Sequence, residues 1–372
     1  MRIRRIMIAT LLIASFSALL LELSLRLFRM DLAPLLSVSH QPCLYIEDER
    51  YGYRYQPNGT DVISRYFEMN NVVTMNSRGF HDREHAPAGD NRIHRILVIG
   101  DSFTAGLHVP TGDVWTQVLE KSLNQPASAS RFEVVNLGID GTGTDIHELV
   151  LKDNLPVYKP DTVILAFYEN DIGDLTRPKL YKSCYRGNVL VYQNGDQRKS
   201  LRDYIDEHSP GTIVRWLFDK LYIVRLPVNL YKRSGRRIDA LFLLDSNYLF
   251  PSAIGVRRWS WGELPHRIDD HLRDLAALSE RYDFRLLIVP VPTKNSITES
   301  LSVLRESASS GVLAELEVVD ISVPLQGIVS NDGLEYQDLF WRYDGHFNSV
   351  GNDVFGRAVF QVLNETEDTA RE

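Results

Sequence analysis

From residue 95 onward, short runs of β-branched and apolar residues alternate with stretches of helical periodicity. That alternation marks βαβ units, which assemble into a parallel sheet covered by helices. The runs predict strands over 95–100, 132–137, 162–168, 284–290 and 316–321, and helices over 112–123, 145–153, 265–282 and 349–363. The first run, Ile96-Leu-Val-Ile-Gly-Asp-Ser-Phe-Thr104, is unbroken in its apolar character up to Gly100. Such a run suits a strand buried on both faces, and ligands in parallel folds collect beyond the carboxyl ends of the strands. Ser102 therefore falls where chemistry is done, although Asp101 and Ser102 equally suit a helix cap. The third and fourth strands are separated by about 115 residues, against the dozen or so that a crossover needs. Residues 172–262 accordingly read as an insertion. It contains aromatic and basic residues close together (Trp216, Tyr222, Arg225, then Tyr231, Lys232, Arg233), which suits a lid, a membrane-surface segment or an amphipathic helix packed on its own domain.

The other end of the chain bears on location. Arg2, Arg4 and Arg5 precede an apolar stretch over 6–21, after which Leu23, Leu25, Leu27 and Phe28 extend it and Arg26 lies one turn from Glu22. No small-residue cleavage site follows, so residues 1–30 are predicted to be an uncleaved signal anchor, a single transmembrane helix. The arginine excess at the start places the amino terminus inside and the bulk of the chain outside the cytoplasm. Residues 31–91 read as an irregular extension that closes in the loop Pro87-Ala-Gly-Asp-Asn91.

With a net charge of -8, nucleic acid is excluded as the main partner, because phosphate binding relies on clustered Lys and Arg. The two cysteines, Cys43 and Cys184, are too few for a disulfide framework and lack zinc-site spacing, but they suit one bridge in an exported domain. His81 and His85 stand four apart, yet their segment is loop-like and has no third ligand, so no metal and no other cofactor is expected.

Four segments leave strand ends with useful polar groups: Gly100-Asp101-Ser102, the turn Asn136-Leu-Gly138-Ile-Asp140-Gly-Thr-Gly143, Tyr168-Glu-Asn170-Asp171, and Tyr343-Asp344-Gly-His346. A serine hydroxyl needs a base that titrates near neutrality, and His346 is the best placed of ten histidines. Asp344, two positions earlier, would orient the ring; in an extended segment residues two apart point the same way. Donors for a developing oxyanion are the backbone amides of Ser102 and Gly138 and the side-chain amide of Asn170. Singly, Gly138 also suits a plain turn and Asn170 a helix cap. Gly141 and Gly143 lack the spacing and the Lys-Ser/Thr ending of a phosphate loop.

Together the four segments resemble the SGNH hydrolases, the GDSL-type esterase and lipase superfamily, at Ser102, Gly138, Asn170 and His346. The resemblance runs from about residue 95 to 363, broken by the insertion. Asn76-Ser-Arg-Gly79-Phe80 followed by the Gly100-Asp101-Ser102 block is similar to membrane-anchored bacterial members with exported catalytic domains. The resemblance implies a flavodoxin-like three-layer α/β/α fold, with a parallel five-stranded sheet in the order 2-1-3-4-5. An amino-terminal transmembrane helix precedes it and a largely helical insertion interrupts it, so the hydrolase domain spans 92–372. It implies Ser102 as nucleophile, His346 as base and Asp344 as its partner. Tyr168 stands where the family commonly has glycine, and the acid precedes His346 by two positions instead of three. The activity implied is a serine esterase acting on an O-acylated envelope glycan or another small ester, at the periplasmic side of the inner membrane. An O-acyltransferase using the same residues, and a non-catalytic glycan-binding protein that kept the fold, are the alternatives.

Overall fold

The structure, a computed structural model, describes residues 2–27, 44–48, 50–65, 69–89, 93–125, 131–176, 221, 223, 267–342 and 344–369. Helix α1 (Arg2–Leu27) comes first. Two antiparallel hairpins follow: β1 (Tyr45–Asp48) with β2 (Gly52–Tyr55), and β3 (Thr60–Arg65) with β4 (Met69–Thr74). Residues 31–91 are thus ordered where described, not irregular. Tyr51, Tyr53 and Tyr55 alternate with Gly52 and Arg54, and all three tyrosines are buried. That is the period-two pattern of a half-buried strand.

The main sheet contains β5 (Ile93–Gly100), β6 (Arg131–Asn136), β7 (Thr162–Phe167), β8 (Arg285–Pro290) and β9 (Glu317–Val318). Its strands lie in the order β6-β5-β7-β8-β9 and all pair in parallel. Helices connect and cover them: α2 (Ser102–Ala105), α3 (Trp115–Leu123), α4 (Thr144–Tyr158), α5 (Asp171–Thr176), α6 (Arg267–Tyr282), α7 (Glu299–Ser307), α8 (Ser310–Ala314), α9 (Ser322–Asn331) and α10 (Ser349–Thr369). Strand β9 is shorter than its apolar pattern because Asp320 accepts the Ser322 N–H at 2.9 Å and turns the chain into α9.

Side chains of a strand alternate between faces, so β5 feeds two cores. Leu97 and Ile99 join Ile146, Val150 and Leu155 of α4 and Leu272 and Leu275 of α6. Ile96 and Val98 join Trp115 and Leu119 of α3, Leu325 of α9, and Val354 and Phe355 of α10. All four β5 side chains are buried, each contributing about 1.5–3 kcal/mol relative to exposure. The sheet that carries the site is therefore held from both faces.

The expected transmembrane span is not found: among the described residues, no helix is long and apolar enough to cross a membrane. Helix α1 does expose Ile13, Phe16, Leu19 and Leu23, but its run is interrupted by a buried Glu22. The Glu22 carboxylate accepts the backbone N–H of Ile223 at 2.8 Å, a partner 201 positions away that helical spacing could not indicate. Apart from 172–176, 221 and 223, the insertion 172–262 lies outside the described residues, as do Cys43, Cys184 and Tyr343.

Candidate active site

At the end of β5 the chain turns sharply. A Cβ on Gly100 would lie 2.3 Å from Thr104 Oγ1 and 2.9 Å from the Ala166 carbonyl oxygen, so only glycine fits. Asp101 then caps α2, its buried carboxylate accepting the Phe103 N–H at 2.9 Å. The cap is therefore Asp101, whose Oδ2 also lies 3.3 Å from the Ser102 hydroxyl, while a second partner stands closer. That partner is His346, whose Nε2 stands 2.8 Å from Ser102 Oγ. The Nδ1 of His346 donates to Asp344 Oδ1 in a short hydrogen bond. With Nδ1–H committed to a carboxylate, Nε2 is left as the acceptor for the serine proton.

Asp344 and His346 meet through a turn and not through an extended segment. Gly345 takes φ of 91°, a left-handed conformation that glycine adopts without steric cost. The loop is braced from outside. Trp341 N–H donates to the His346 carbonyl at 2.9 Å. The Asn348 side-chain amide donates to the carbonyls of Asp338 and Phe340 at 2.8 and 3.2 Å. The Lys294 ammonium donates to the carbonyls of Trp341 and Arg342 at 2.7 and 2.6 Å.

Gly138 sits against α2: an added Cβ would lie 2.3 Å from Ala105 N and 2.7 Å from the Thr104 carbonyl carbon. Its own N–H donates to Asn136 Oδ1 at 2.9 Å, so the amide expected to face an oxyanion is taken by a neighbouring side chain. Close packing of the β6 loop on α2 is what requires glycine here. Asn136 completes the join by donating to the Thr104 carbonyl at 2.7 Å. Asn170 lies in the turn after β7, where its carbonyl accepts the Asp174 N–H. Its side-chain oxygen is buried without a hydrogen-bond partner, so the side chain is not acting as a helix cap.

Burial sets the electrostatics. Asp101 is fully buried, and that burial raises its carboxyl from 3.8 to about 6, against the lowering effects of the Phe103 N–H and of His346. Asp171, equally buried and facing the Asp101 charge, is raised well above the ordinary carboxylate range. Glu169 is pushed to about 7 by burial and by Glu299.

Several participants carry no sequence signal. His108 stacks on His346 with ring centroids 3.9 Å apart and planes 12° from parallel, while Phe103 contacts the His346 ring at 4.9 Å and the Tyr168 ring at 4.3 Å. The hairpins grip the site loops. Tyr55 and Tyr45 donate to the two carboxylate oxygens of Asp140 at 2.8 and 3.1 Å, and Tyr53 donates to the Asp140 carbonyl at 2.5 Å. Asn71 donates to the carbonyls of Leu107 and Val109 at 3.0 and 2.6 Å.

His81 and His85 do not converge on a metal. His81 bonds the Ala105 carbonyl and Thr111 Oγ1, both at 2.9 Å, whereas His85 bonds Asp82 at 2.9 Å and stands 3.1 Å from the Glu133 carboxylate. Among the described residues, His108, Asp344 and His346 bring ligand atoms within 4.8 Å of one another.

A family model described as GDSL-like lipase/acylhydrolase matches residues 96–209, a stretch that includes Ser102, Gly138 and Asn170 and ends before Asp344 and His346. Solved structures with a similar trace include a psychrotrophic esterase from Pseudoalteromonas sp. (12% identity, 74% of this chain and 99% of that one, TM-score 0.38). An acetylxylan esterase from Geobacillus stearothermophilus (14% identity, 74% and 95%, TM-score 0.38) and a lipase/acylhydrolase from Enterococcus faecalis (13% identity, 73% and 96%, TM-score 0.37) are others. Among curated proteins, no relative matches the sequence.

Proposed function

We propose that this chain is an ester-bond hydrolase of the SGNH, or GDSL-type, superfamily, in which Ser102 is the nucleophile, His346 the general base and Asp344 the orienting acid. The observation that carries this reading is the Ser102 Oγ to His346 Nε2 contact of 2.8 Å, with Nδ1 held by Asp344. As Ser102 Oγ attacks the acyl carbon, its proton passes to His346 Nε2 and the carbonyl oxygen becomes an oxyanion. The Ser102 backbone N–H and the Asn170 side-chain amide are the proposed donors to that oxygen; one such donor is worth about 10²–10³ in kcat. His346 then returns the proton to the departing alcohol oxygen as the carbon–oxygen bond breaks, leaving acyl-Ser102. Water repeats the sequence, giving up a proton to His346, and the carboxylic acid leaves as Ser102 regains its own.

The acyl group is proposed to come from an O-acylated glycan or another small ester. If a sugar hydroxyl takes the place of water, the same steps transfer the acyl group. Hydrolysis of an aryl acetate tests the core of the reading: Ser102→Ala should abolish it, and equal rates in both proteins would refute the nucleophile. Intact-mass analysis after exposure to acylated glycans, with and without added sugar acceptor, then reports the acyl-enzyme and its preferred acceptor.

A further inference from the structure

The segment Asn76-Ser-Arg-Gly79-Phe80-His-Asp-Arg-Glu-His85 has no part in the proposed chemistry, yet it lies against the β6 edge of the sheet and the end of α2. Its turn is fixed locally. Asn76 Oδ1 accepts the N–H groups of Arg78 and Phe80, both at 3.0 Å, and Gly79 takes φ of 82° where a Cβ would lie 2.5 Å from the Tyr55 carbonyl oxygen. Beyond the turn, the Asp82 and His85 side chains are both buried. His85 Nε2 bonds Asp82 Oδ2 at 2.9 Å, and its Nδ1 stands 3.1 Å from Glu133 Oε1, an ion-pair contact. A neutral imidazole has one N–H, so it would set a bare lone pair beside one of the two carboxylates. An imidazolium avoids this. We propose that His85 is a buried imidazolium that locks Asp82 onto the edge of β6, and that the two act together as positioning residues for the Ser102 turn. The proposal rests on the Ser102–His346 reading and extends it.

The Asp82 oxygens are taken up by groups that lead to Ser102. Its Oδ2 also accepts the Asn136 N–H at 2.7 Å, while Oδ1 accepts from the Gln117 side chain at 2.6 Å and the Arg83 N–H at 2.8 Å. Because β6 is an edge strand, its outward N–H groups need acceptors from outside the sheet. Asn136 is also the residue whose side chain holds the Thr104 carbonyl and the Gly138 N–H. Thr104 lies two residues from Ser102, so a shift of Asp82 passes through Asn136 to the nucleophile.

The titratable and charged groups facing His85 are Asp82, Arg83 and Glu84 of its own segment, Glu133 of β6, and Tyr158 of α4, whose ring meets it edge-on at 6.4 Å. Arg95 of β5 holds the other Glu133 oxygen at 2.6 Å. Burial disfavours the His85 charge, but the Asp82 hydrogen bond and charge outweigh it and raise the ring above the ordinary 6.5. His81, four residues earlier, is the contrast: burial prevails, the ring is lowered, and its Nδ1–H donates to the Ala105 carbonyl at 2.9 Å. Since the folded value of His85 is raised, its contribution is fully present below 6.5 and is lost as pH rises through the folded value. The hold on Asn136 then slackens.

The test is kcat and KM for an aryl acetate from about pH 6 to 10 on the full chain, comparing wild type with Ser102→Ala, His85→Gln and Asp82→Asn. Glutamine keeps a donor and loses the charge. His85→Gln should lower kcat about tenfold near pH 6 with KM within about twofold, and the ratio of wild type to variant should fall toward one as pH rises and wild type gives up the same charge. A ratio constant across the range marks a purely structural loss and would overturn the proposal. Asp82→Asn breaks the same link, so the doubly substituted chain should be no slower than the slower single variant; simple additivity would count against the pair. An active Ser102→Ala protein would instead remove the catalytic reading and leave the His85 charge to be judged by NMR. Imidazole nitrogen NMR on the wild-type chain needs no folded variant. Assigned through its contact with the Tyr158 ring, His85 should carry protons on both nitrogens at about pH 7.5, where an ordinary histidine is about nine-tenths neutral. One protonated and one bare nitrogen there would overturn the proposal.

Discussion

Replacing Asp140 with alanine should cost the protein more stability than most single changes, and the structure says why. The Asp140 carboxylate accepts from Tyr55 at 2.8 Å and Tyr45 at 3.1 Å, and both phenols are buried. A hydrogen bond to a charged group contributes about 1.5–3 kcal/mol, so losing two costs about 3–6 kcal/mol. Relief from burying a carboxylate offsets part of this and leaves a net loss of about 2–4 kcal/mol. Asp140→Asn keeps an acceptor oxygen for one phenol and should lose only about 1–2 kcal/mol. Urea unfolding followed by tryptophan fluorescence measures each difference by linear extrapolation. A double-mutant cycle with Tyr55→Phe isolates the pair and should return a coupling of about 1–2 kcal/mol. The reasoning fails if Asp140→Ala lies within about 0.5 kcal/mol of wild type, or if its effect and that of Tyr55→Phe simply add. Because Asp140 sits in the same loop as Gly138, kcat for an aryl ester should fall alongside stability.

Gly138→Ala places a Cβ against the backbone of α2, so thermal unfolding should report a loss of about 1–3 kcal/mol and kcat should fall more than about tenfold; an unchanged melting temperature would refute the contact. Lys294→Met removes both bonds to the loop carrying Asp344 and His346, and should lower kcat about tenfold with a stability loss of about 1–3 kcal/mol; wild-type kinetics would show that the loop does not need this brace. For Asp101, the folded protein holds the proton up to about 6 against an ordinary 3.8, so its contribution is fully present below 3.8 and is lost as pH rises through about 6. Asp101→Asn should accordingly gain stability at pH 8 relative to pH 5, by about 1.4 kcal/mol because pH 5 already lies above 3.8, and parallel melting curves at the two pH values would contradict this.

The strands near the site were legible because β5 and β7 are buried on both faces and so read as unbroken apolar runs. The meeting of Ser102, Asp344 and His346 was legible because each leaves a strand end or its following loop with a chemically distinct group. Their geometry was only partly so: two-residue spacing suggested an extended segment, whereas Gly345 turns it. Gly138 carried the right residue for a reason the sequence hides, because the close approach of α2 and the claim of Asn136 on its amide are both tertiary. The tyrosines at 51, 53 and 55 did alternate as a strand should, but five residues rich in polar neighbours read equally as a loop. His108, Asn71 and Lys294 had no local pattern at all, since a stack, a clamp and a brace are made by partners distant in the chain.

The hairpin tyrosines also bear on how the chain comes into being. Tyr45 and Tyr55 precede Asp140 by 95 and 85 positions. At about 5–20 residues per second of synthesis, their hydroxyl-bearing face waits roughly 5–20 seconds before the loop that satisfies it has been made. During that interval a nascent chain offers a sticky aromatic surface with nothing to cover it. The price of gripping the site from upstream is therefore an exposed half-finished state, one in which a delay in translation, or a holdase bound to the hairpins, would decide how much of the protein matures.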